Sequence, residues 1–134
     1  MQPYLIPLPA VHDPSGTLTA IEGAVIPFMV RRVFYLYDVP GGAERGGHAH
    51  FELEEVVIAV SGSFDVVAWD GQTEQRYHLN RSNVGLYLPP QSWRHLENFS
   101  GNSIALVLAS TAYNRDDYLT TKEEFEKAWT EPWR

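Results

Sequence analysis

The stretch EVVIAVSGSFDVVAWDGQTEQRYHL, residues 55–79, holds three runs of strand-forming residues separated by two short glycine turns. Valine, isoleucine and aromatic residues fill the first two runs, and such side chains suit a pleated, packed surface. Asp70-Gly71, set between two alternating runs, is the strongest hairpin signal in the chain, and Ser61-Gly62 is a weaker one. Read outward from there, the pattern repeats. TLTAIE (17–22), RRVFYLYDV (31–39), VGLYL (84–88) and SIALVLAS (103–110) are further strand candidates, with PGG and PPQS among the turns between them. One helix is expected, in TTKEEFEKAW, where Thr120 or Thr121 can act as N-cap and Glu123 or Glu124 as the reciprocal partner three residues on. Seven or more short, evenly spaced strands and a single late helix predict an all-β fold, an antiparallel sandwich or barrel of jelly-roll type with the short C-terminal helix covering one end.

The bulk numbers set the bounds. A chain of 134 residues can bury a sizeable core but is too short for two ordinary domains, so residues 1–134 are expected to form one. Hydrophobic residues make up 44% and charged residues 20%, and no run approaches the roughly 20 apolar residues of a membrane helix, so a soluble protein is expected. The start, MQPYLIPLPAVHD, has no basic segment ahead of an apolar core and does not read as an export signal, which makes the cytoplasm the expected location. With no cysteine, disulfides, thiolate metal sites and cysteine nucleophiles are excluded. A net charge of −7 argues against nucleic-acid binding, although a few arginines in a pocket could still hold a phosphorylated small molecule.

Chemistry concentrates in GGAERGGHAHFELEEV, residues 41–56. His48 and His50 are separated by one residue, so on a strand both project from the same face and form one site or none. The spacing of Gly42, His48, His50, Glu55 and Gly62 resembles the first motif of the cupins. In metal-binding cupins a third histidine from a later strand joins the set, and His95 is the candidate for that place. Three imidazoles and a carboxylate would suit zinc, iron, nickel or manganese.

A narrower resemblance covers residues 13–129. The blocks IPF (26–28), RRVFYLYDV (31–39), RGGHAH (45–50), SGS (61–63), VGLYLPPQSW (84–93), ENFS (97–100), LVLAS (106–110) and the DDY segment (116–118) together resemble the nucleotide-sugar 3,4-ketoisomerases. Members of that family are cupin jelly-roll dimers that act on dTDP-4-keto-6-deoxy-glucose and work without a metal or other cofactor. The resemblance implies that His48 is the base that relays the sugar proton, with His50 its partner. It also places Arg45 and Arg94 beside the diphosphate or the sugar, with Arg32 and Ser15 as further substrate contacts. The chemistry is apt for histidine, whose unperturbed pKa of ~6.5 lets it take and return a proton near neutrality.

The chain departs from the family pattern at named positions. Phe34 stands where a relay tyrosine is usual, so Tyr35, Tyr37 or His50 is expected to substitute, Tyr35 first. The early turn Asp13-Pro14-Ser15-Gly16 carries a small Ser15, and Arg94 follows Trp93; Arg94 tilts the expected product toward the gluco configuration at C4. Glu55 completes the cupin metal motif, which keeps a metal-dependent small cupin enzyme as one alternative and a non-catalytic sugar-binding cupin as another. His12 and His78 read as structural or solvated, Trp69 as sheet packing, and Glu123, Glu124 and Glu126 as a solvated helix face. The apolar run YLIPLP has no obvious partner strand in one jelly roll, so a homodimer that exchanges its N-terminal strands is expected.

Overall fold

The computed structural model describes residues 1–130. In chain order the strands are β1 (Tyr4–Pro7), β2 (Val11–Asp13), β3 (Gly16–Leu18), β4 (Arg32–Leu36), β5 (Arg45–His50), β6 (Glu55–Ser61), β7 (Phe64–Trp69), β8 (Glu74–Leu79), β9 (Val84–Leu88), β10 (Trp93–Glu97), β11 (Ile104–Ala109) and β12 (Tyr118–Leu119). A short 3-10 turn, Arg115–Asp117, precedes β12, and one helix, α1 (Lys122–Thr130), follows it. Two five-stranded sheets, ordered β1-β9-β6-β11-β4 and β12-β5-β10-β7-β8, pack face to face, and β2 and β3 form a separate hairpin. All pairings are antiparallel. This is the jelly-roll barrel that the sequence pattern predicts.

Alternation decides which side chains fill the barrel. Phe64, Val66 and Ala68 of β7 face Val57 and Ala59 of β6, Leu86 and Leu88 of β9, and Ala105 and Val107 of β11 across one buried core. The opposite face of β6 is buried as well: Val56 and Ile58 lie with Tyr87 and Leu108 beneath Ile6, Leu8 and Ile26. Burial on both faces explains why VVIAV reads as an unbroken apolar run. On the outside of the second sheet, Phe125 of α1 lies 5.3 Å from Trp69 and 6.1 Å from Trp93, ring centre to ring centre. Thr121 caps this helix, its Oγ1 accepting from the Glu124 N–H at 3.1 Å and donating to the Glu124 carboxylate.

Three expectations change. Ser61-Gly62 does not close a hairpin, because β6 and β7 belong to different sheets and the turn carries the chain from one to the other. Gly62 is left-handed there (φ +65°), and a Cβ on it would collide with Ser100 Oγ and lie 2.8 Å from Ser103 Cα. TLTAIE is strand only through Leu18, and its remainder begins the segment that covers the outer apolar face. The run expected to lack a partner has one in its own chain: Tyr4 to Pro7 pair with Tyr87 to Val84. Strand exchange is therefore not needed to cover β1. No described helix is long and apolar enough to cross a membrane.

Candidate active site

β5 carries the two histidines and owes its aim to a bulge. Opposite β10, Arg94 pairs with His48 but Leu96 pairs with Arg45, so Gly46 and Gly47 together oppose His95 alone. Gly46 takes a left-handed φ of 76°, which glycine adopts without strain. Beyond the bulge, His48 and His50 both point into the end of the barrel, their rings 4.6 Å apart and nearly perpendicular. His50 is fully buried and His48 partly so. The backbone after them is pinned: the Gln91 N–H donates to His50 O, and the buried Asp117 carboxylate accepts from the N–H groups of Glu52 and Leu53.

Four other strands deliver the remaining groups. Arg94 of β10 is 1% exposed and donates through Nη1 to Glu55 Oε1 of β6 at 2.8 Å, and through Nη2 to Pro89 O at 3.1 Å. Tyr118 of β12 pairs with His50 across the strands, its ring 4.3 Å from the His50 ring and 5.1 Å from the His48 ring. Its hydroxyl accepts from Arg32 Nη2 of β4 at 3.4 Å. Arg32 in turn lies over the rings of Phe34 and Tyr113, at 5.0 and 5.7 Å. The His50 Nδ1 atom is 4.0 Å from Asp117 Oδ2, and neither ring nitrogen makes a hydrogen bond.

This setting keeps the imidazoles neutral. Burial, then the guanidiniums of Arg94 and Arg32, lower the pKa of His48 to about 3. Burial and the same charges push His50 lower still. Burial raises the Glu55 carboxyl, while the two arginines oppose the rise. The site is thus a pair of uncharged bases beside a desolvated ion pair.

Several expected residues lie elsewhere. Tyr35 alternates with the inward Arg32 and Phe34, so it faces outward, 58% exposed, with its ring against Tyr37. It cannot stand in for the hydroxyl missing at Phe34. Arg94 belongs to the site, but both of its terminal nitrogens are engaged inside the protein, so it is a fixed charge in the floor rather than a clamp for phosphate. Ser15 sits in the exposed β2–β3 turn, hydrogen-bonded to Asp13 and apart from the histidines in this chain. Arg45 is exposed at the start of β5, on the rim. His12 bonds Thr17 and His78 bonds Asp65 at 2.6 Å, both exposed and away from the paired histidines.

The donor set does not fit a divalent metal. His48, His50 and Glu55 present ligand atoms within 4.8 Å of one another. Yet the Glu55 carboxylate is bonded to a guanidinium, whose charge opposes a second cation. His95, the expected third imidazole, is on the other face of β10, 3.4 Å from Glu97. β10 turns Arg94 inward instead, so a positive charge fills this side of the site. Sequence reasoning missed Tyr118 and Asp117 as site residues. Only their place in the DDY block singled them out, because a two-residue strand leaves no periodic trace.

Residues 1–130 match the FdtA family, described as WxcM-like, C-terminal. The chain is 38% identical over 128 residues to the TDP-4-oxo-6-deoxy-alpha-D-glucose-3,4-oxoisomerase of Aneurinibacillus thermoaerophilus, covering 95% of this chain and 92% of that one. Its fold is similar to a 3,4-ketoisomerase from Helicobacter canadensis at 38% identity, with a TM-score of 0.94 over 98% of this chain and 99% of that one. It is also similar to QdtA, a sugar 3,4-ketoisomerase from Thermoanaerobacterium thermosaccharolyticum solved with TDP, at 33% identity, a TM-score of 0.93 and coverage of 98% and 97%. A variant of QdtA with one histidine changed to asparagine holds TDP-4-keto-6-deoxyglucose. Sequence and fold agree along nearly the whole length, and the chain belongs to the FdtA, WxcM-like C-terminal, family.

Proposed function

We propose that this chain is a dTDP-sugar 3,4-ketoisomerase that moves the ketone of dTDP-4-keto-6-deoxy-glucose from C4 to C3, with His48 as the base. The carrying observation is the pair of neutral, inward-facing histidines in a chain 38% identical to an oxoisomerase of that substrate. The reaction removes the C3 proton, passes through an enediol and delivers a proton to C4. His48 is the imidazole with surface open to a ligand, whereas His50 is sealed behind it. A base must be unprotonated to act, and burial of the ring together with the Arg94 and Arg32 guanidiniums ensures that. A diphosphate brings negative charge into this positive field, and nearby negative charge raises an imidazole's pKa, so the base gains strength once substrate is bound. Arg45 on the rim and Arg32 within the mouth are suited to the diphosphate and the sugar oxygens.

Two other readings are separated by one experiment: untagged protein is dialysed against a chelator, then incubated with dTDP-4-keto-6-deoxy-glucose. The expected outcome is a product whose carbonyl carbon, located by NMR, is C3. Conversion only after a divalent metal is restored would mean a metal-dependent cupin. Binding of dTDP with no conversion would mean a sugar-binding protein.

A homodimer working in the cytoplasm completes the proposal. β4 is an edge strand whose outward Val33 and Tyr35 are exposed, as are the neighbouring Tyr37 and Met29. The β2–β3 hairpin also stands off the first sheet over a hollow of about 630 Å³ floored by Ile58, Val60 and Leu106. Exposed apolar surface of this kind marks a contact face. A second copy that covered it would bring the Ser15 turn near another subunit. The expected sedimentation mass is that of a dimer; a mass of one chain, 15.2 kDa, at micromolar concentration contradicts this.

A further inference from the structure

Six side chains converge on the end of the barrel, and three of them, His50, Glu55 and Arg94, are no more than 4% exposed. Of these six, a ligand entering the mouth can touch His48, Tyr118 and Arg32, each of which is partly exposed. Resting on the ketoisomerase reading, we propose that Tyr118 is a second catalytic residue, carrying the oxygen-to-oxygen proton transfer while His48 carries the carbon-to-carbon one.

Isomerisation needs both transfers. Hydrogen must leave C3 and arrive at C4, and it must also leave the C3 hydroxyl and arrive at the C4 oxygen. One neutral imidazole holds one proton at a time, so a second group is required. Arg32 is permanently protonated and cannot relay. Phe34 has no hydroxyl, and Tyr35 and Tyr37 face outward with more than half of their surface exposed. Two hydroxyls lie on this side, and it is Tyr118 whose ring meets the histidines, 5.1 Å from that of His48, while Tyr113 meets Tyr118 and is 64% exposed. The Tyr118 oxygen accepts from Arg32 Nη2, so a phenolate formed there would keep a charged donor.

The steps balance. His48 takes the C3 hydrogen as a proton, the C–H electron pair becomes the C3=C4 bond, and the carbonyl π pair moves to O4, which takes the Tyr118 proton. The phenolate, held by Arg32, then takes the proton of the C3 hydroxyl. That O–H pair becomes the C3 carbonyl, and the C3=C4 pair takes the proton back from His48 at C4. Both residues end as they began, with no oxidant or reductant.

The test is Tyr118→Phe, which removes one oxygen and keeps the ring against both histidines. Wild type and variant are incubated with dTDP-4-keto-6-deoxy-glucose in deuterated water, and loss of the C3 proton and formation of the 3-keto product are followed separately by NMR. The expected result is isomerisation slowed by roughly 10²-fold, the scale of acid-base catalysis, with dTDP affinity unchanged. Exchange at C3 should fall less, because His48 can still form the enolate with the Arg32 guanidinium as donor to O4, whereas the transfer from O3 to O4 has lost its carrier, so the ratio of exchange to isomerisation rises. A purely structural hydroxyl would not move that ratio. Wild-type isomerisation in the variant, or equal loss of exchange and isomerisation, overturns the assignment. His78→Asn, outside the site and outside the contact face, should behave as wild type. If the wild-type protein neither exchanges nor isomerises, the ketoisomerase reading itself falls, and this role with it.

Discussion

Replacing His48 by Asn is expected to slow turnover by roughly 10²-fold or more while dTDP still binds. Asparagine keeps the size and one polar contact of the ring but cannot take a proton. The neighbouring His50 cannot compensate, since it is fully buried behind His48 and Tyr118. Loss of the base and loss of the binding surface are thus separable, and calorimetry with dTDP beside an assay reads both. The pH profile of the wild type carries the same signature. Burial and two guanidiniums hold the free imidazole at a pKa of about 3, so kcat/KM should show no loss near pH 6.5 as the pH falls. A wild-type rate in His48→Asn would contradict the assignment. His78→Asn, which alters only the contact with Asp65 outside the barrel, is the matching control and should leave turnover nearly intact.

Arg94→Ala should destabilise the protein by about 3–5 kcal/mol at neutral pH, the scale for leaving one partner of a buried ion pair uncompensated. Glu55 is 4% exposed, and Arg94 is the side chain that the structure shows bonded to its carboxylate. The truncation also strips the Pro89 carbonyl of its donor and opens space in the floor. In a domain of this size such a loss lowers the Tm by roughly 10 °C or more. Its pH dependence has a definite sign. Without the guanidinium, burial raises the Glu55 carboxyl further above its unfolded value of 4.5. A group whose folded pKa is raised stabilises most below its unfolded pKa, and that contribution is lost as the pH climbs through the folded value. Urea titrations should therefore show the smallest difference between variant and wild type near pH 4.5, and a growing one toward pH 7. Removing both charges, as Glu55→Leu with Arg94→Met, should restore much of the stability. A variant as stable as wild type at pH 7 would show that the pair is not held as described.

How much of this was legible in the chain depends on what each element leaves in the pattern. β6, β7, β9 and β11 bury apolar residues at every second position or on both faces, and their runs mark them plainly. The Asp70-Gly71 hairpin was legible for a chemical reason: Asp70 Oδ1 accepts from the N–H groups of Gln72 and Thr73, and Gly71 takes φ +98°. β10 was not, because WRHLE turns an arginine inward, which breaks the apolar alternation. The family resemblance places Arg94 beside the diphosphate or the sugar, and only the three-dimensional position of Glu55 shows that its charge is already engaged. His95 is the candidate third imidazole by resemblance to the metal-binding cupins, but a strand alternates faces with each residue, so the one-residue difference from Arg94 places it outside. His48 and His50 were legible as a pair because their i and i+2 spacing survives the bulge that precedes them.

The fate of the C3 hydrogen tests the central claim most directly. dTDP-4-keto-6-deoxy-glucose carrying deuterium at C3 would be incubated in ordinary water with wild-type protein and with His48→Asn, and the label followed by deuterium NMR. The expected result is that the label leaves C3, appearing at C4 of a 3-keto product or in water, and does so at least roughly 10²-fold more slowly in the variant. Label that stays on C3 in the wild-type reaction, or that leaves equally fast without the His48 imidazole, would contradict proton abstraction by His48.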